Sequence, residues 1–545
     1  MSVSTANGRG SLGIGVARST DVLAGDTFKG RAINSIVPTT LTNPTLGTTT
    51  VLAATWLDGG GVYRSIDSGV TFTRISGNGT SGLPNAGVTS LIADPGSANV
   101  VCDGAKPTGA TTGTSPHPDS RFMAFDANGN LLQANDGGIA RLVNPNTAAT
   151  RNWVAVVGDI GSAEFPSIAY DPLSNIVFGG TQDNGTPIQS SPGEDSWNQV
   201  LTGDGGVVGI DANQISHAGT SLRYYSFQSF IRFTRSEWNA SNTMQRSELV
   251  GLNITAVGTG MRLIQFDPNI EFRQPFVLNA IDPARMLIGT MNLYESINRG
   301  DSLTNLGSLG ALVSNSQGYG RAMTYGSRLD GLPIADVFYV GAGATIFHRV
   351  TAAGAITKLA SYPGGIVITI AKNPNNYKQV YVSDLNNKVW GSFDEGATWN
   401  DLTGNLPSLT GLVTTIEVFS PDATVGNTML FAGGFGVFQL TNPSTIGGLW
   451  TPVTGPGDNK IPPALALDLH YDYTNKVLAS GTLGRGAWLF RAPPAIPSAR
   501  KLPSSTAAKN LPAPPPSVPN SQNVPLPQPS EQVTSLDSPR PRGGD

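Results

Sequence analysis

A unit of about 40 residues recurs along the chain and constrains its fold more than any other feature. In the best-defined copies an apolar run ends in a turn, a second run leads into Gly-Gly or Gly-aromatic, and a third ends in Ser-x-Asp-x-Gly. The clearest copies span residues 51–75 and 366–402. Alternating apolar positions between turn residues predict three or four short strands per unit. The composition agrees, because 66 glycines and only 13% charged residues favour strands and turns over long helices.

A single three- or four-stranded unit cannot bury both of its faces, and radial repetition solves this problem. The sequence therefore predicts an all-β fold, a single β-propeller of about seven four-stranded blades, with eight possible, over residues 11–491. Closing such a ring requires its first and last strands to meet. We expect the run 466–490 to close the ring together with the segment 15–21.

The chain changes character after the last repeat. Residues 493–545 hold 14 of the 39 prolines and no aromatic residue. Such a segment cannot bury enough apolar surface to offset the entropy lost on ordering. We therefore predict a disordered Pro-rich tail over residues 492–545. It serves as a spacer or, alternatively, binds a polyproline-recognising partner.

Charge, hydropathy and cysteine content exclude several classes of function. The net charge of −4 without a Lys/Arg cluster argues against nucleic acid as a partner. No stretch approaches the roughly 18 apolar residues of a membrane span, and the first residues lack the pattern of a signal peptide. A single cysteine and four histidines without paired spacing predict no metal and no cofactor.

Two units end their third strand in the same motif, Ser-x-Asp-x-Gly-x-Thr-aromatic. Its residues are Ser65, Asp67, Gly69, Thr71 and Phe72 in the first unit, and Ser392, Asp394, Gly396, Thr398 and Trp399 in the second. A degraded third copy spans residues 296–303. Asp can bond its own backbone, Gly supplies positive φ, and the aromatic ring can pack between sheets. The motif is therefore predicted to be structural.

This motif resembles the Asp box of the BNR-repeat propellers, a superfamily that includes sialidases, xyloglucanase-type glycosidases and sortilin-type receptors. The phrases at 135–139, 180–185, 203–206 and 481–488 resemble an uncharacterised bacterial branch of it. The resemblance covers residues 11–491 and implies an extracellular or cell-surface protein. The sialidase arginine motif is poorly matched, because its nearest string is Phe272-Arg273-Gln274-Pro275 in mid-chain.

Three aspartates are candidate catalytic residues: Asp136, Asp183 and Asp204. Each follows an apolar run and is flanked by Gly or Asn, so a loop could present it at a propeller face. Glycoside hydrolysis needs two carboxyl groups, one of them kept protonated. The simpler interpretation, which we favour, is that each aspartate belongs to an Asp-Gly or Asn-Gly turn.

A second polar group lies in the segment SPHPDSRF, where His117, Asp119 and Arg121 are candidate ligand-binding residues. An ordinary surface loop is the alternative.

Without a complete catalytic constellation, the sequence favours a non-catalytic propeller that binds a carbohydrate or protein ligand on its face. The alternative is a glycoside hydrolase or lyase that uses loop carboxylates in the central cleft. Two carboxylates facing each other across a polar cleft, one of them shielded from water, would favour the enzyme.

Overall fold

In this computed structural model almost every regular element is a β-strand. The described residues are 28, 33–55, 60–77, 88, 90–93, 100–103, 116–117, 120–147, 149–156, 163–194, 196–255, 260–313, 321–444, 448–453, 463–491 and 498–501. Among them are two one-turn α-helices, α1 (Leu263–Phe266) and α2 (Leu406–Leu409), and two 3-10 turns at Gln228–Phe230 and Val425–Asn427.

Three sheets form the N-terminal part. Their strands are β1 Ile33–Thr42, β2 Thr49–Thr55, β3 Gly61–Ser65 and β4 Thr73–Arg74; β5 Ser90–Ala93 and β6 Val100–Asp103; and β7 Phe122–Phe125, β8 Leu131–Asn135, β9 Gly138–Val143 and β10 Asn152–Ala155. Neighbouring strands are antiparallel and follow chain order. The first strands β1, β5 and β7 pack against one another in sequence.

Seven further sheets follow. Their strands are β11 Ser167–Asp171, β12 Ile176–Gly180, β13 Thr186–Gln189 and β14 Trp197–Leu201; β15 Gly209–Asp211, β16 Thr220–Tyr225, β17 Thr234–Asn239 and β18 Met244–Leu249; β19 Asn253–Ile254, β20 Phe276–Leu278, β21 Met286–Gly289, β22 Asn292–Ser296 and β23 Ser302–Ser308; β24 Met323–Leu329, β25 Leu332–Ala342, β26 Thr345–Arg349 and β27 Thr357–Lys358; β28 Val367–Asn373, β29 Asn376–Asp384, β30 Val389–Ser392 and β31 Asn400–Asp401; β32 Thr415–Phe419, β33 Met429–Gly434, β34 Gly436–Thr441 and β35 Thr451–Pro452; and β36 Ala466–Asp472, β37 Val477–Thr482, β38 Ala487–Arg491 and β39 Ser498–Lys501. All pair antiparallel with their neighbours except β19, which adds a parallel strand to the edge of β23.

The seven sheets from β11 to β39 form a closed ring. The inner strands β11, β15, β20, β24, β28, β32 and β36 each pack against the next, and β36 packs back against β11. At this closure the Ile168 N–H donates to Asp468 Oδ2 at 2.9 Å, and the Phe165 N–H donates to Thr482 O at 3.0 Å. The run 466–490 thus closes the ring against β11, while the segment 15–21 lies outside the described residues.

Burial falls from the inside of each sheet to its outside. Every residue of β11, β12, β28 and β37 is buried, whereas both residues of β4, β27 and β35 are exposed. Inner strands lie between neighbouring sheets, so most of their residues are buried, although β28, β32 and β36 also carry polar and charged side chains. The core therefore consists of separate clusters between successive sheets.

The predicted fold class, an all-β propeller of four-stranded sheets, is confirmed. Its seven-sheet ring begins at Ser167, and the three N-terminal sheets precede it. The boundary between residues 491 and 492 stays a prediction. One fourth strand, β39, lies beyond it on the edge of β38, and residues 502–545 lie outside the described part.

The Ser-x-Asp-x-Gly-x-Thr motifs form tight turns after the third strand of a sheet. In the first, Ser65 Oγ donates to Asp67 Oδ1 at 2.6 Å, the Gly69 N–H donates to Ser65 Oγ at 2.7 Å, and Thr71 Oγ1 donates to Asp67 Oδ2 at 2.6 Å. The hydrogen bonds that Asp67 accepts, that from the Ser65 hydroxyl first and those from Thr71 next, lower its pKa to about 2. Gly69 has φ 89°, a value that favours glycine.

The second and third copies reproduce this geometry. Ser392 Oγ lies 2.9 Å from Asp394 Oδ1, and Thr398 Oγ1 lies 2.6 Å from Asp394 Oδ2. In the degraded copy Asn298 takes the place of the aspartate, and its Oδ1 accepts from the Ser302 N–H at 3.0 Å. Glycines at the fifth position of these two copies have φ 86° and 89°. Three turns with one hydrogen-bond pattern fit the structural role predicted for the motif.

The Ser392→Ala variant is expected to unfold about 1–2 kcal/mol more easily than the wild type. Ser392 Oγ accepts from the Gly396 N–H at 2.8 Å while it donates to Asp394, so its loss leaves both groups without this partner. Urea denaturation measures the effect. Ser241→Ala, in an exposed turn, is the control and should change stability by less than about 0.5 kcal/mol. Equal effects of the two changes would contradict the assigned role.

Candidate functional site

The three candidate aspartates come together where the β8–β9 turn meets two loops of the ring. Asp136 lies in the β8–β9 turn, Asp183 in the β12–β13 turn and Asp204 in the loop between β14 and β15. The carboxyl groups of Asp136 and Asp183 share a hydrogen bond. Asp204 Oδ1 accepts from the Asp183 N–H at 2.9 Å and from Gln182 Nε2 at 2.6 Å. We call Asp136, Asp183 and Asp204 the carboxylate cluster.

Glycines allow the β12–β13 turn to lie directly on the loop that carries Asp204. A Cβ on Gly180 would fall 1.9 Å from Gly206 O, and one on Gly185 would fall 1.8 Å from Leu201 O. Both distances are far too short, so larger residues are excluded at these two positions. Asp183 has φ 59°, the left-handed conformation that Asp tolerates better than most residues. The local sequence thus places Asp183 beside Asp204.

The surroundings shift the pKa values of Asp183 and Asp136 in opposite directions. Burial raises the pKa of Asp183 to about 6, and its hydrogen bond to Asp136 adds to the rise. Arg121 lowers the pKa of Asp136, because its Nε and Nη2 donate to the two carboxylate oxygens at 2.7 and 2.6 Å. In their shared hydrogen bond, Asp183 is therefore the protonated partner and Asp136 the ionised one.

The second predicted group, from the segment SPHPDSRF, lies at the same place. His117 Nε2 is 2.9 Å from the backbone O of Asp183. Gly137 has no room for a side chain, since a Cβ there would fall 2.6 Å from His117 Cβ. Arg121 binds Asp136 as described above, and Asp119 lies outside the described residues. The two predicted groups, derived separately from the sequence, are thus neighbours.

Three further side chains complete the surroundings of the cluster, and none was singled out as a candidate. Glu164 lies in the loop before β11, and its pKa is raised by burial and by the charge of Asp136. Gln182 Oε1 accepts a hydrogen bond from Arg273 Nη2, and Arg273 lowers the pKa of Glu164. Gln182 lies in the phrase at 180–185 and Arg273 in the string 272–275, whereas Glu164 lies in no sequence motif.

Next to Arg273 the cluster has an exposed aromatic ring. Phe272 is 47% exposed, and the Arg273 guanidinium lies 5.3 Å from the centre of its ring. The site therefore combines a carboxyl group whose pKa is raised to about 6, a carboxylate whose pKa is lowered, two arginines and an apolar ring face. A protonated and an ionised carboxyl in one site are the groups needed for general acid–base catalysis.

Within the described ranges, no three His, Cys, Asp or Glu side chains are arranged to hold a metal ion. No helix in the described part of the chain is both long and apolar enough to cross a bilayer.

Comparison of this chain with known proteins finds similar solved structures only. No family model matches it, and no curated protein matches it. Similar solved structures include the WD40 repeats of RRP9, with 10% identity, a TM-score of 0.40 and coverage of 62% of this chain and 95% of the other. A Niastella koreensis GH74 enzyme has 13% identity, a TM-score of 0.34 and coverage of 84% and 75%.

A third similar structure is described as the extracellular domain of a one-component system from B. thetaiotaomicron. It has 15% identity, a TM-score of 0.35 and coverage of 86% of this chain and 60% of the other. One propeller scaffold supports many functions. Function therefore has to be argued from the site.

Proposed function

We propose that this protein is a glycoside hydrolase whose acid–base chemistry is carried by the carboxylate cluster. The observation behind the proposal is the hydrogen-bonded pair formed by Asp183, which keeps a proton up to about pH 6, and Asp136, which Arg121 holds ionised. The pair meets part of the criterion set from the sequence: Asp183 is partly shielded from water, but Asp136 and Asp183 are hydrogen-bonded to each other and do not face each other across a cleft. A turn with a purely structural role does not require a partly buried carboxylic acid beside a carboxylate.

In this proposal Asp183 is the general acid. A glycosidic oxygen is a poor leaving group, and protonation by a carboxylic acid with a raised pKa makes departure possible. Asp136 is a positioning residue, because it accepts the hydrogen bond that holds the Asp183 proton. Asp204 fixes the Asp183 backbone through the 2.9 Å bond to its N–H.

The second carboxyl group of the reaction is assigned to Glu164. Asp136 and Asp183 are bonded to each other, whereas the two working groups of a glycosidase stand about 5–9.5 Å apart to flank the bond. Glu164 is close enough to Asp136 for that charge to raise its pKa. The anomeric form of the first product will report whether Glu164 activates water or attacks the sugar directly.

The surroundings are suited to a sugar. The exposed ring of Phe272 offers an apolar face, and sugar rings carry C–H groups that stack on such faces. The three Asp-box turns support the finer proposal that the chain belongs to the Asp-box propellers, within which glycosidases occur. Where this assignment holds, an extracellular or cell-surface location is proposed with it.

Hydrolysis of a polysaccharide panel by the purified full chain tests this function. We expect release of reducing ends from at least one glycan, with the release lost in the Glu164→Gln variant. Arg246→Gln, which changes a well-exposed arginine on β18, should leave the rate unchanged. A folded protein that cuts no glycan of the panel would contradict the hydrolase and favour the non-catalytic binding propeller. Binding of intact glycans or proteins is then measured on the same sample.

A further inference from the structure

The ring encloses a central channel that the carboxylate cluster does not use. Its cavity of about 370 Å³ is lined by residues of the inner strands of all seven sheets. Pockets that hold small molecules start at about 300 Å³. The channel is therefore large enough for a ligand of the size of a single sugar.

Ionisable side chains are concentrated on one part of the channel wall. Those that line it are Arg321, Lys372, Glu417, Asp468, His470 and the tyrosines 325, 471 and 473. Arg321 and Asp468 form an ion pair at 2.6 Å, which also joins the β24 and β36 sheets. Arg321 and Asp468 are thus paired with each other. Lys372, Glu417 and His470 also line the channel and form no such ion pair with another described residue.

Lys372 is the group that most needs a partner. It is only 8% exposed, and within the described ranges its ammonium makes no hydrogen bond and no ion pair. Burial lowers its pKa to about 8, so it still carries its charge at neutral pH. A buried cation without a hydrogen-bonded partner is costly, and such groups usually contact an anion or water.

Three neutral or proton-sharing groups accompany Lys372. Thr369 Oγ1 is buried and has no hydrogen-bond partner among the described residues. Burial lowers the pKa of His470 to about 3, so its imidazole is neutral. Burial raises the pKa of Glu417 to about 7, so its carboxyl group exchanges a proton near neutrality. Together they offer hydrogen-bond donors and acceptors of the kind that bind hydroxyl groups.

We propose that the central channel is a binding site for a small polyhydroxylated carboxylate, the chemistry of a monosaccharide acid. Lys372 pairs with the carboxylate of the ligand, and Thr369, His470 and Glu417 hydrogen-bond to its hydroxyl groups. A neutral sugar would leave Lys372 with only the attraction of Glu417, which raises the Lys372 pKa against the effect of burial. A bare anion would bring no hydroxyl group that could donate a hydrogen bond to Glu417. Only a ligand with both a carboxylate and hydroxyl groups would pair with Lys372 and hydrogen-bond to the other polar side chains of the channel.

This site stands apart from the proposed hydrolase. It involves none of the residues of the carboxylate cluster, so either proposal can fail while the other holds.

Isothermal titration of the full chain with D-glucuronate tests the channel site, with D-glucose and acetate as matched probes. Glucose has the same ring without the carboxylate, and acetate has the carboxylate without the ring. We expect glucuronate to bind at least about tenfold more tightly than either. This is the difference that one ion pair of about 1.4 kcal/mol would produce.

Two variants locate the binding in the channel. Lys372→Met keeps the length of the side chain and removes the charge, and it should weaken glucuronate binding at least about tenfold. Thr369→Val is isosteric and should weaken binding by a smaller factor. Lys476→Met, at an exposed position, is the control and should bind as the wild type does. Circular dichroism and thermal melting verify that each variant is folded.

The remaining outcomes overturn the proposal. Equal affinity for acetate and glucuronate would reduce the site to a plain anion site, and equal affinity for glucose would remove the role of Lys372. Glucuronate affinity that is unchanged in both Lys372→Met and Thr369→Val would place the binding outside the channel. Absence of binding heat for all three probes would mean that the channel holds only water.

Discussion

The Asp183→Asn variant is expected to hydrolyse the glycan about 10²–10⁴-fold more slowly than the wild type, with little change in KM. Asparagine keeps the size of the side chain but has no proton to give to the leaving oxygen. The loss should be smaller for substrates with an activated leaving group such as nitrophenol, which departs without protonation. Initial rates on natural and nitrophenyl substrates measure this difference.

The pH profile gives the same assignment independently. The pKa of Asp183 is raised to about 6, so the acid form is present below that pH and is lost as pH rises through it. The rate is therefore expected to fall on the alkaline side with a midpoint near 6. Arg121→Met should move this midpoint, because Arg121 is the main group that lowers the pKa of Asp136, the partner of Asp183.

The control for these measurements is Asp330→Asn, in the exposed β24–β25 turn. Asp330 has φ 50°, as Asp183 has φ 59°, and Asn tolerates this conformation equally well, so the two changes place similar demands on the backbone. Wild-type activity in Asp183→Asn, or an equal loss in both variants, would rule out the acid role of Asp183.

The fold was predictable because its signal is local. Apart from β19, each strand of a sheet lies next in sequence to its neighbour, so the spacing of turns such as those at Gly69 and Gly396 indicates where each sheet lies in the sequence. Membership of the ring was not predictable in this way. The closing contact between Ile168 and Asp468 joins residues 300 positions apart, and nothing in either local segment indicates the other.

The candidate site was predictable only in its parts. Asp136 and Asp183 were noted because Gly and Asn flank them, but their contact depends on how the β8–β9 turn meets the ring, which no local pattern encodes. Glu164 could not be identified from the sequence, because its raised pKa depends on burial and on charges that come from distant segments. The sequence thus indicates which turns carry carboxylates and not which carboxylates meet.

A buried ion pair inside the ring could likewise not be predicted from the local sequence. Asp171 ends β11 in what reads as an ordinary Asp-Pro turn, and Arg223 lies in the middle of β16. In the structure both side chains are fully buried, and Arg223 Nη2 lies 2.8 Å from Asp171 Oδ2. Arg223 also packs over Trp238, with its guanidinium 4.4 Å from the ring centre. This pair joins the first two sheets of the ring.

Arg223→Met is therefore expected to destabilise the protein by about 3–5 kcal/mol. Methionine fills much of the arginine volume, so the cost comes mainly from Asp171, which is left buried without its cation. The Ser221 hydroxyl, 2.5 Å from Asp171 Oδ2, and the Leu173 N–H cannot replace a full charge. Urea denaturation at neutral pH measures the change in the free energy of unfolding.

The double variant Asp171→Asn/Arg223→Met separates the lost charge from lost packing. Removing both charges leaves no uncompensated ion, so the double variant should be more stable than Arg223→Met alone, by an amount of about 1–4 kcal/mol. If the two single effects simply add, the cost of Arg223→Met lies instead in its packing on Trp238. The pair would then join the two sheets by shape, and the charge on Asp171 would already be satisfied by its other hydrogen bonds.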